Sequence, residues 1–91
     1  SDTTSAFSLG RLVATPGALD TVPYSEIQTA LRRHISCDWG DLCAEDKQLN
    51  DAALKQGDRL FSVYHTKSGR KFYIITEGDR SATTILLPDE Y

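Results

Sequence analysis

The chain is predicted to fold as α+β, a single small domain with the element order β-α-α-β-β-β. Three strands form an antiparallel meander joined by an N-terminal strand, and two helices pack on one face. Three observations predict it. Apolar residues recur at three- and four-residue spacing over 24–35, the mark of one helical face. After Gly57 the period changes to alternation, which is the pleat of a strand. From there to residue 87 the chain is broken twice by short turn sequences, KSGR and GDRS, so three strands follow one another directly.

The first strand is FSLGRLVAT, residues 7–15, apolar and partly β-branched, stopped by Pro16-Gly17. Residues 16–23 hold two prolines and a glycine and read as a connection. Ser25 and Gln28 have the spacing of a capping box, with Pro23 at the helix entry, where its missing N–H costs nothing. Ile27, Ala30, Leu31 and Ile35 make the apolar stripe, and Arg32, Arg33 and His34 crowd the last turn, where cations favour the helix dipole. A second helix starts with Asp41 as its cap and ends before Gly57. Leu42, Leu49 and Ala53 share its apolar side. In the first strand of the meander Leu60, Ser62, Tyr64 and Thr66 face one way, and Phe61, Val63 and His65 the other. Gly69 suits the hairpin turn. KFYIITE and ATTILL supply the remaining strands, and Pro88 ends the last one.

Ninety-one residues are one domain's worth of chain. Residues 1–6, Ser/Thr-rich, read as a flexible tail, and 7–91 as the domain. No apolar run is long enough to span a bilayer, and two cysteines without an export signal suggest a reducing cytoplasm. The net charge of −3 is unevenly spread. Six acids face two lysines over residues 35–58, while 59–71 carries four bases and no acid. Such a dipolar surface suits a partner with complementary patches.

The densest stretch is ISCDWGDLCAED, residues 35–46. Cys37 and Cys43 do not have redox C-x-x-C or zinc-knuckle spacing, and His34 and His65 complete no known structural zinc set with them. A Cys37 nucleophile with His34 as base lacks an orienting third group. The mechanical reading uses nearly every residue: Gly40 frees the backbone, Asp38 ties the turn, Asp41 caps a helix and Trp39 plugs the core. Asp46 and Asn50, four apart on a helix, could bridge a ligand, but no second carboxylate is fixed opposite them. Arg59, Lys67, Arg70 and Lys71 around the hairpin, with Tyr64 and Tyr73 behind, suggest a single-strand nucleic-acid surface. The isoelectric point near 5.2 argues against a dedicated binder. Phosphate-loop, nucleophile-elbow and zincin motifs are absent.

Taken together, LGRLVATPGAL, HISCDWGDLCAED with Asn50, and FSVYHTKSGRKFYIITEGDRSATTILLPDEY resemble a family of small proteins encoded on bacterial plasmids and integrative elements. The resemblance runs from Phe7 to Tyr91 and is most specific in DWGDL and the closing segment from Ile74. Its members often carry the label of a type I restriction endonuclease M subunit. That label does not transfer, because this chain has neither a methyl-donor domain nor an Asn/Asp-Pro-Pro-aromatic motif. The resemblance implies a bacterial cytoplasm, a mobile element, and a non-enzymatic module that binds a host or element-encoded protein, for example to block restriction or CRISPR defence. The contact candidates are Asp38, Trp39, Asp46, Asn50, Arg70, Lys71 and Tyr73, with no catalytic residue, metal or cofactor. The alternatives are a nucleic-acid accessory protein using the basic 59–71 hairpin, and self-association through a sheet edge or face.

Overall fold

A computed structural model describes residues 5–91. Its elements are β1 (Arg11–Ala14), α1 (Pro16–Thr21), α2 (Tyr24–Ile35), α3 (Ala44–Gln56), β2 (Leu60–His65), β3 (Lys71–Thr76) and β4 (Ala82–Leu86), closed by a 3-10 turn at Pro88–Glu90. The α+β class and the strand order around the helices agree with the sequence expectation. Residues 1–4 of the expected tail lie outside the described residues. Further along it, the Ala6 N–H donates to the Ile35 carbonyl at 2.8 Å.

The sheet has the spatial order β1-β4-β3-β2. β3 pairs antiparallel with both β2 and β4, which is the expected meander. β1, however, pairs parallel with β4, so the sheet is mixed and not antiparallel throughout. A hairpin forces antiparallel neighbours, but β1 and β4 are separated by most of the chain and are free of that constraint. Glu90 ties their C-terminal ends together. Its carboxylate accepts from the Thr15 hydroxyl at 2.5 Å, the Gly17 N–H at 3.1 Å and the Leu87 N–H at 2.9 Å.

Three helices form where two were expected. The stretch read as a connection contains α1. Thr15 caps it by accepting from the Ala18 N–H, and Pro16 occupies the first turn. The capping box at Ser25 does not form: Pro23 is the N-cap of α2 and Ser25 lies inside the helix, where its carbonyl accepts from Thr29. α3 begins after Cys43 instead of Asp41, whose carboxylate is bonded to His65 and whose N–H donates to the Val63 carbonyl. Gly57 closes α3 at φ 78°, as expected.

The core lies between α1, α2 and one face of the sheet. Ala18, Val22, Ile27 and Ala30 pack on Tyr64, Phe72, Ile74, Ile85 and Leu87. On α2 the inward stripe runs Ile27, Ala30, His34. On α3 Asn50 is buried, and of the residues expected on its apolar side Ala53 is half-buried while Leu49 is 63% exposed. β2 behaves as its alternation predicts, with Leu60, Ser62, Tyr64 and Thr66 all buried.

The corner at 35–46 is architecture. Trp39 is buried, and its indole N–H donates to Asp51 at 3.0 Å. Asp38 accepts from the Gly40 N–H and takes both ends of the Arg33 guanidinium, at 2.7 and 3.2 Å. The Arg33 hydrogen bond is the main reason the Asp38 carboxyl sits below its usual range. Gly40 has φ 79°, and a Cβ there would run into the Val63 carbonyl. Only glycine fits.

Candidate interaction surface

The residue with the most chemistry, His34, is sealed. It is fully buried and bonded at both ring nitrogens, Nδ1 to the Ser62 hydroxyl at 2.6 Å and Nε2 to the Thr76 hydroxyl at 2.9 Å. Thr76 reaches Thr83 at 2.7 Å, and Thr83 donates to the Leu9 carbonyl at 2.7 Å. A carbonyl only accepts, and each hydroxyl has one proton, so the direction of the chain is determined. Thr83 gives its proton to Leu9, Thr76 gives to Thr83, and Nε2–H gives to Thr76. Nδ1 is therefore bare and accepts from Ser62. Burial, with the Arg80 charge adding to it, pulls the His34 pKa down to about 4. It is thus a neutral core residue and not the dipole-stabilising cation its place in the last turn suggests. Phe7 and Trp39 cover its ring, with centroids at 5.2 and 5.6 Å.

The other reactive candidates are dispersed. Cys37 is half-buried at φ 66°, and burial pushes its thiol up, away from a reactive thiolate. Cys43 is exposed, and the two thiols are unbonded. His65 bonds Asp41 through Nδ1 at 2.6 Å on an exposed surface. Among the described residues no three His, Cys, Asp or Glu side chains converge as a metal would require. A cleft of about 300 Å³ opens between α2 and β2, floored by Tyr64 and Phe72. Its polar groups are already engaged: Arg33 with Asp38, Glu26 with the Lys67 N–H, His65 with Asp41.

The expected contact residues separate into three groups. Trp39 and Asn50 are buried and structural. Tyr73 lies on the sheet face away from α1 and α2, half-buried in a cluster with Phe61 and Tyr91. Asp38, Asp46, Arg70 and Lys71 are exposed, Asp38 being held by Arg33 at the 35–46 corner and Arg70 and Lys71 lying at the β2–β3 hairpin. The basic hairpin also divides. Arg59 precedes β2 and pairs with Glu77, whereas Lys67, Arg70 and Lys71 follow its far end, about 20 Å away for a strand of this length. Tyr64 faces the helices while Tyr73 faces the other way, so aromatics and bases do not interleave.

The two edges of the sheet are treated differently. At β2 the outward main-chain groups of Phe61 and Val63 are occupied. Asn50 pairs with both the N–H and the C=O of Phe61. The 39–41 segment pairs with both groups of Val63, at 3.2 and 2.7 Å. β1 has no such cover. Its inner groups go to β4, since the Arg11 N–H reaches Ser81 and the Thr15 N–H reaches Ile85. By strand alternation the N–H and C=O of Leu12 and Ala14 point outward. Beside that edge is an apolar groove of about 240 Å³. Of the six large apolar side chains most exposed among the described residues, four line it: Leu12 at 51%, Val13 at 41%, Leu19 at 62% and Tyr24 at 74%. Such a concentration beside an open edge marks a contact surface. None of these four was among the sequence candidates. Their common signal was the apolar content of 12–24, which reads equally as core.

No protein-family model, curated protein or solved structure matches the chain.

Proposed function

We propose that the chain is a non-enzymatic protein-docking module whose working surface is the outer edge of β1 and the groove beside it. The observation that carries this reading is the asymmetry of the sheet, with β2 covered by the chain's own groups and β1 left open among exposed apolar side chains. The matching partner is an extended polypeptide segment that adds to the sheet as a strand and seats an apolar side chain in the groove. Main-chain bonds would give affinity, and the groove would give specificity. The reading is non-enzymatic because His34 is consumed inside the core and neither Cys37 nor His65 has a companion group for catalysis. A bacterial cytoplasm, a mobile element and a host defence protein as target are supported by the resemblance in sequence alone. Nucleic-acid binding at the hairpin gains no support from the division of its bases between two ends of β2.

The test is site-specific photo-crosslinking in the source cells. A photoreactive residue at position 12 or 19 should yield a defined adduct with an extended segment of another polypeptide chain. The same residue at position 47, on the exposed side of α3, should not. Equal labelling at all three positions, or none, would contradict the docking reading.

A further inference from the structure

We infer that the occupant of the β1 edge is a second copy of this chain, paired antiparallel about a twofold axis through Val13. The inference rests on the docking reading above and names its partner. The outward main-chain groups belong to Leu12 and Ala14, which flank Val13 symmetrically. A copy centred on Val13 sets Leu12 opposite the mate's Ala14, and each such pair exchanges two N–H···O=C bonds. Val13 then faces its own counterpart at a non-hydrogen-bonded position. The neighbouring registers are poorer. A shift one way opposes Leu12 to Pro16, which has no N–H. A shift the other way opposes Ala14 to Gly10, whose N–H is taken by Ser8 at 3.2 Å.

Side chains agree with this register. Leu12 and Ala14 lie on the helix-covered face, aligned with Thr83 and Ile85, so each Leu12 lies over the mate's groove beside Leu19 and Tyr24. Arg11, Val13 and Thr15 lie on the other face. The register puts Arg11 opposite the mate's Thr15, which is bonded to Glu90. Each Arg11 thereby meets a Glu90 carboxylate across the axis, twice per dimer. The dimer is also closed. Its two four-stranded sheets join into one of eight, with a covered β2 at either end, so no third copy can add.

The test is sedimentation equilibrium of the full chain together with a cysteine scan of β1. The chain should sediment at twice its 10.1 kDa. Leu12→Lys should weaken the dimer about tenfold or more while leaving the circular dichroism unchanged. In a Cys37→Ser, Cys43→Ser background, Val13→Cys should form an intermolecular disulfide, because facing non-hydrogen-bonded residues in an antiparallel pair stand about 4.5 Å apart at Cα. Leu12→Cys and Ala14→Cys should cross-link about tenfold more slowly, since neither faces itself. A monomer at all concentrations to about 1 mM, or a dimer indifferent to Leu12→Lys and cross-linking equally at 12, 13 and 14, would overturn the inference. The two readings fail separately. A monomer that still gives position-12 photoadducts with a different polypeptide retires only the second copy, and a monomer with none retires both.

Discussion

The Asn50 carboxamide pairs with both main-chain groups of Phe61, its Nδ2–H donating to the carbonyl at 2.6 Å and its Oδ1 accepting the N–H at 3.2 Å. A side-chain amide has the donor and acceptor of a peptide bond, so one residue of α3 stands in for a neighbouring strand. This closes the β2 edge where Trp39 and Asp41 stop covering it.

Asn50→Ala should therefore cost about 1–3 kcal/mol, the range for leaving semi-buried polar groups without partners. Urea unfolding would register it as a lower midpoint at unchanged slope. The exposed edge should also promote association that light scattering detects. Asn50→Asp keeps the shape but loses the donor to the Phe61 carbonyl, and should be destabilised similarly at neutral pH. An unchanged midpoint for both variants would contradict the edge-closing role.

The buried chain from Ser62 through His34 to Leu9 makes a prediction about pH. The His34 pKa is depressed to about 4 in the fold, against about 6.5 in the unfolded chain. Between those values the unfolded chain binds a proton that the native state does not, so stability falls as pH falls. The full contribution, about 3 kcal/mol, is present above the unfolded value and lost progressively from pH 6.5 towards 4. Asp38 and Glu90, both held below the usual carboxyl range, lose their contributions only at lower pH. Urea midpoints at pH 7 and pH 5 should differ for the natural chain and converge for His34→Gln. At pH 7, nitrogen-15 shifts should show the neutral ring protonated at Nε2.

Glycine substitutions should divide sharply. Gly40→Ala places a methyl group into the Val63 carbonyl at a positive φ, and should cost more than about 3 kcal/mol or prevent folding. Gly69→Ala, at φ 90° but with open space around it, should cost about 1 kcal/mol. Thermal melts of the two variants side by side would check this. Similar melting temperatures would mean that close approach at Gly40 is not what holds the corner.

What the sequence revealed follows from how local each signal is. Alternation over 60–66 and the KSGR turn are complete within a dozen residues, and β2, β3 and their hairpin formed as read. The parallel pairing of β1 with β4 was not legible, because nothing near Arg11 encodes a partner some seventy residues away. α1 has a local signal, since Thr15 followed by Pro16 is a helix start, but two prolines and a glycine within 16–23 read equally as a connection. His34 also had a signal, since it continues the stripe of Ile27 and Ala30 at helical spacing. Its place beside Arg32 and Arg33 suggested a charge instead. Asn50 occupies the inward position where α3 lacks an apolar residue, a gap that asks for a satisfied polar group. The candidate surface was least legible. Leu12, Leu19 and Tyr24 look like core residues until the sheet order shows β1 at the edge.

Residue-resolved amide hydrogen exchange tests the central asymmetry most directly. In dilute solution the Phe61 and Val63 amides should be protected as strongly as interior strand amides, and those of Leu12 and Ala14 should exchange freely. Protection at Leu12 and Ala14 should then rise when a docking partner, a second copy included, is supplied. Free exchange at Phe61 and Val63, or strong protection at Leu12 and Ala14 in the dilute monomer, would contradict the account.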